Sequence, residues 1–137
     1  MKQMIYRSEP FGFDSSMLAG ILVRAWHNNK RDEISGALIC RHDLYLQLIE
    51  GPDGAIDALY AKILVDDRHC DIRLLLSDTV EQRIFPEWTM LDDEFPSMAW
   101  SPAEISGGAL DTATPEALRA VFERIATAAR ASGRASN

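Results

Sequence analysis

The chain has 137 residues, 47% of them hydrophobic and 26% charged, with a net charge of −7. That length suggests one domain, and a chain of this size buries roughly 68–70% of its unfolded surface, enough for a real core. The acidic balance argues against nucleic acid, whose binders need a basic footprint, and no apolar run approaches the roughly 18 residues of a membrane span. The first residues lack the apolar stretch of a signal peptide, so the cytoplasm is the expected compartment. Cys40 and Cys70 have no metal-ligand spacing and are expected as free thiols in a reducing compartment. No metal site is expected.

Residues 3–8 read as a first strand. Alternation puts Met4, Tyr6 and Ser8 on one face, and Gln3, Ile5 and Arg7 on the other. Pro10 and Gly12 end it. A covered Tyr6 needs a partner for its hydroxyl, either a backbone carbonyl or something more specific. Asp14 or Ser15 can cap a helix reaching Asn28 or Asn29. Leu18, Leu22, Ala25 and Asn29 form its stripe at i, i+4, i+7 and i+11. Asn29 is then either a left-handed helix end or an amide aimed at a ligand.

Residues 34–41 read as a second strand, turning at His42 and Asp43 into a third at 44–51, so the pair forms a hairpin. In the third strand Tyr45, Gln47 and Ile49 share one face, and Leu44, Leu46 and Leu48 the other. Gln47 is out of place in a covered apolar strand. Its two donors and two lone pairs need partners, supplied by neighbouring backbone and water or by a polar ligand on the sheet.

Asp53 opens a helix to about Val65, with Ile56, Leu59, Tyr60 and Ile63 as its buried stripe. A loop at 66–69 leads to a fourth strand at 71–76, whose poor alternation suggests cover on both faces. A fifth short strand is expected around 88–91, with Trp88 and Met90 on one face. Residues 92–115 are irregular, marked by Pro96, Pro102, Gly107 and Gly108. Thr114 then caps a last helix with Pro115 at its first position, and Leu118, Val121, Phe122 and Ile125 form its stripe. The tail from Ala131 is expected to fray. The order predicts an α+β, ferredoxin-like βαββαβ fold with an extra fifth strand and a C-terminal helix. Two helices cover one sheet face, leaving the other open to the added helix.

Several uncommon residues now stand together: Tyr6-Arg7-Ser8, Asn29 before Ile34-Ser35-Gly36, Leu46-Gln47-Leu48-Ile49-Glu50-Gly51, Asp66-Asp67-Arg68-His69, and the run from Arg83 to Met90 that holds Phe85-Pro86-Glu87-Trp88. In order and spacing this set resembles a BLUF domain, the blue-light sensor that uses a flavin, over about residues 3 to 92. The resemblance implies FAD, or FMN, held between two helices with the ring edge toward the sheet. By position, Tyr6 resembles the photoactive tyrosine and Gln47 the glutamine between it and the flavin. Asn29 resembles the amide that binds the ring, and Ser8 the serine beside the tyrosine. Asp66, Arg68 and His69 resemble the flavin-contacting loop, and Trp88 and Met90 the pair whose placement changes with light. Asn28 stands where many members carry a larger or basic residue against the ring, and Ser35 where Thr is common.

The resemblance further implies that light moves an electron and a proton from Tyr6 toward the flavin, and that recombination leaves Gln47 rotated or tautomerised. Residues 1–95 are then the photosensor. Residues 96–137 are a linker, helix and tail packing on the sheet or a partner. A photoreceptor without enzymatic activity is expected, signalling to an unidentified effector protein or through a homo-oligomer. A small ferredoxin-like enzyme is the first alternative, since fold alone does not fix function. Against it, no hydrolase order, phosphate loop or HExxH is present. A flavin-free interaction domain is the second.

Overall fold

Side chains alternate across a strand, and here that parity sorts the apolar residues onto two covered faces of one sheet. The structure, a computed structural model, describes residues 1–10, 28–41, 44–64, 69–92, 103–104, 107–110 and 112–133. The strands are β1 (Lys2–Pro10), β2 (Ser35–Arg41), β3 (Leu44–Gly51), β4 (His69–Thr79) and β5 (Leu91–Asp92). The helices with both ends among the described residues are α1 (Asp53–Leu64) and α2 (Pro115–Ala131). The sheet runs β4-β1-β3-β2-β5. Its first four strands pair antiparallel, and β5 joins β2 in parallel. This is the expected ferredoxin-like sheet with an added strand and helix. Arg41 pairs with Leu44, which makes β2 and β3 the expected hairpin; the turn residues His42 and Asp43 lie outside the described residues.

One face carries Ile5, Leu46 and Leu48 and is covered by α2 through Leu118, Val121, Phe122 and Ile125. The other carries Met4, Tyr6, Tyr45 and Ile49, with Ile56 of α1 packed on it. α2 begins as expected: the Thr114 side chain accepts the Ala117 N–H, and Pro115 occupies the first turn where a missing N–H costs nothing. Arg130 anchors the far end. It donates to both Glu87 carboxylate oxygens and to the Ile84 carbonyl, and its guanidinium lies 5.7 Å from the centre of the Trp88 ring.

The Arg130 guanidinium holds the Glu87 carboxyl below its ordinary range. A carboxyl lowered in the folded state adds stability above its unfolded pKa, and that stability is lost as pH falls through the folded value. Arg130→Met should therefore cost roughly 0.2–1 kcal/mol of ion pairing plus about 0.5–1 kcal/mol of cation–π contact at pH 7. The first part should fade as pH falls through the lowered Glu87 value, and the second should remain. Urea midpoints of both proteins at pH 7 and below that value measure this.

Four sequence expectations change. The first helix, expected to end at Asn28 or Asn29, falls largely outside the described residues, but its end is visible: residues 28–32 are helical. Glu33 then takes the left-handed conformation (φ 60°), and the Ile34 N–H donates to the Asn29 carbonyl at 2.9 Å. That is a Schellman end with Glu33, not Asn29, as the left-handed residue. β4 is longer than expected, and His69 belongs to it rather than to a loop. β4 is also an edge strand, not one covered on both faces, and Leu74 is 44% exposed. A pairing irregularity between Ile5 and Tyr6, opposite Leu76 and Leu74, explains its poor alternation.

Among the described residues the fifth strand is Leu91–Asp92. Residues 81–90 are turns and bends, so strand parity does not apply there. Trp88 and Met90 consequently go to opposite faces, Trp88 with the α2 core and Met90 with the α1 core.

Gly36 marks where this turning segment crosses β2. Its N–H donates to the Trp88 carbonyl at 3.2 Å, and a Cβ built on it would overlap the Leu48 carbonyl oxygen across the strand pair. Gly36→Ala must therefore displace backbone. Overpacking of this kind costs about 1–3 kcal/mol or more, which thermal unfolding would show.

Candidate functional site

Tyr6 and Gln47 are directly opposed across the β1–β3 pair, the closest relation two residues of neighbouring strands can have. Both point to the α1 face. The Tyr6 hydroxyl donates to Gln47 Oε1 in a short hydrogen bond. Gln47 Nε2 donates to the Met90 sulfur at 3.3 Å. Asn29 Nδ2 donates to the Thr89 carbonyl at 3.0 Å. Two side-chain amides thus grip adjacent residues of the chain entering β5. Gln47 is 7% exposed, and Tyr6, Asn29 and Met90 are more deeply buried. The Tyr60 ring of α1 meets Tyr6 at 5.9 Å, tilted by 57°, and burial pushes the Tyr60 hydroxyl above its ordinary pKa.

The structure thus brings together Tyr6, Asn29, Gln47 and Met90. Ser8 is buried on the same strand face as Tyr6, and Asn28 is half-buried beside Asn29. Trp88 is not part of this group; it packs on the opposite face with Phe85, their rings 6.3 Å apart at 65°. Asp66 and Arg68 lie outside the described residues, as does the side chain of His69. Ser35 does not address this face either: its hydroxyl accepts from Arg83 at 2.7 Å.

Sequence reasoning passed over Glu50, quoting it only within a motif. It is fully buried on the α2 face, and burial pushes its carboxyl above the ordinary range, against the opposing pull of the Ile84 and Phe85 N–H groups. An ionisable residue inside an apolar strand was the visible signal.

The donor set fits a flavin. A flavin ring needs an apolar floor and a few polar groups at its edge, where acceptors and a donor alternate. Met4, Ile49 and Ile56 offer the floor. Asn29 and Gln47 each carry both a donor and an acceptor, and the Asn29 oxygen takes part in none of the described hydrogen bonds. Among the described residues no group of three or more His, Cys, Asp or Glu could hold a metal ion, and no helix is long and apolar enough to cross a membrane.

A buried tyrosine–glutamine–methionine line thus crosses one face of a ferredoxin-like sheet. The family described as BLUF, sensors of blue-light using FAD, matches residues 1–91, and the chain belongs to it. Over 106 residues, 75% of this chain, it is 31% identical to photoactivated adenylate cyclase subunit alpha of Euglena gracilis. It spans only about a tenth of the length of the curated relatives it matches. The dark-state structure of BlrB, a BLUF protein, is 29% identical with a TM-score of 0.75, covering 93% of this chain and 96% of that one. Klebsiella pneumoniae BlrP1, solved with FMN and cyclic diGMP, is 26% identical with a TM-score of 0.66, covering 96% of this chain and 35% of its own.

Proposed function

We propose that this chain is a cytoplasmic blue-light photoreceptor that holds FAD or FMN on the α1 face of its sheet and signals to a separate effector protein or a second copy of itself. One observation carries the reading: Tyr6, Gln47 and Met90 form a buried hydrogen-bonded line through an amide that can be reversed end for end. A bound flavin supplies blue-light absorption and one-electron redox chemistry. Asn29 and Gln47 hold its polar edge. Ser8, Asn28, Asp66, Arg68 and His69 complete the site by their places in the family pattern.

The switching is done by the chain's own groups. As placed, the Tyr6 hydroxyl donates to Gln47 Oε1, and the amide nitrogen faces sulfur. Reversing the amide exchanges donor for acceptor without changing its volume. The nitrogen then donates to the Tyr6 oxygen, and the Tyr6 proton needs a new acceptor. Met90, whose sulfur has no proton to give, loses its donor. A rearranged hydrogen bond is worth about 0.5–1.5 kcal/mol. That suffices to bias the chain around Met90 when its two states lie close. Residues 1–95 act as the sensor, and residues 96–137, with α2, carry the change outward. The chain has no catalytic role of its own in this reading.

The test is spectroscopic. Protein loaded with FAD should be yellow, shift its blue band to the red under blue light, and return in the dark. Protein that refuses both FAD and FMN, or binds one without a reversible shift, overturns the proposal.

A further inference from the structure

Glu50 lies three residues beyond Gln47 on β3 and points to the opposite face. Its carboxylate receives the Ile84 N–H at 2.8 Å on each oxygen, the Phe85 N–H at 3.2 Å and the Gln3 amide at 3.5 Å. Arg83 fastens the same stretch to the strand ends, donating to the Glu50 carbonyl at 3.3 Å, Ser35 Oγ at 2.7 Å and the Glu33 carbonyl at 2.7 Å. Five residues on, the chain reaches Thr89 and Met90, which Asn29 and Gln47 hold. One strand therefore grips both ends of segment 84–90, Gln47 from the α1 face and Glu50 from the α2 face.

The line continues outward. Gln3 is directly opposed to Glu50, as Tyr6 is to Gln47. Its amide nitrogen faces Glu50 and its oxygen accepts from Arg119 Nε at 2.9 Å. Arg119 belongs to α2 and also binds Asp78 on β4 at 3.0 Å. A run of hydrogen bonds thus joins the segment that meets Gln47 to the last helix. All the groups around the Glu50 carboxylate are donors, which only an acceptor-only side chain satisfies.

We propose that Glu50 is a positioning residue for the light response. It sets segment 84–90 so that Met90 meets Gln47, and through Gln3 and Arg119 it ties α2 to that segment's movement. This rests on the photoreceptor reading. Coupling of this kind is read as a light-minus-dark difference at α2.

The flavin-loaded full chain is compared with Glu50→Gln, which keeps the shape but turns a donor toward donors. Glu50→Gln should retain a red shift, return in the dark at a rate changed tenfold or more, and lose the light-minus-dark difference in amide hydrogen exchange over residues 115–131. Ile125→Val, which loosens the α2 core without touching the line, should keep that difference. Should Glu50→Gln not fold, Arg119→Met leaves Glu50 in place and should keep the shift while losing the exchange difference. The inference is overturned if Glu50→Gln recovers within twofold of the parent and keeps the exchange difference, if Arg119→Met keeps it, or if Ile125→Val loses it as well. A parent protein with no reversible shift overturns the photoreceptor reading itself, and this inference with it.

Discussion

Gln47→Leu should bind flavin and show no light-induced shift at all. Leucine fills nearly the space of the glutamine and has neither donor nor acceptor. The Tyr6 hydroxyl loses its acceptor and Met90 loses its donor, so nothing remains in the line to reverse. The apolar floor and Asn29 stay in place. Losing one edge hydrogen bond, about 0.5–1.5 kcal/mol, should weaken flavin binding by roughly tenfold. Tyr6→Phe removes the proton at the other end and should have the same result. A light-minus-dark difference spectrum of each variant checks this, and a normal shift in either would remove that residue from the mechanism.

Phe122→Ala should cost about 3–5 kcal/mol, the range for emptying a core of a large aromatic. Against a total stability of roughly 5–15 kcal/mol, that leaves a marginal protein. Phe122 is fully buried between α2 and the sheet. It meets Phe85 edge-on at 6.2 Å and 90°, and Phe85 in turn meets Trp88, so the cavity would open in a stack of three rings. Urea unfolding measures the loss. A cost below about 1 kcal/mol would mean that α2 is not part of the fold's core, although Phe122 is among its most buried side chains.

What the sequence revealed and what it hid divide along a physical line. Periodic elements were legible. Parity grouped Tyr6 with Met4 in β1 and Gln47 with Tyr45 and Ile49 in β3, as the structure has them, and the 3.6-residue stripe of α2, with Thr114 and Pro115 at its start, matched the structure. Those readings need only local geometry. Segment 84–90 was misread because turns have no period: Trp88 and Met90, two apart, end on opposite faces. The edge position of β4 depends on which strand lies beside which, and its irregular pairing with β1 blurred the alternation. The end of the first helix was misplaced because Asn is a common left-handed residue, whereas here Arg83, fifty residues away, binds the carbonyl of Glu33 instead. Glu50 stood out as an ionisable residue in an apolar strand, but its main partners, backbone N–H groups of a distant turn, leave no mark in the sequence.

Among the described residues β5 is joined to β2 by two register pairs, Ala37 with Leu91 and Leu38 with Asp92, while β1 and β3 share seven. The buried Leu91 side chain adds a grip worth about 1.5–3 kcal/mol. Among the described residues the sheet is therefore fastened unevenly, with fewer rungs at this border than in its middle. Since Met90 is the residue before that border, any rearrangement begun at the amide meets the least resistance in the direction of the molecule's rim.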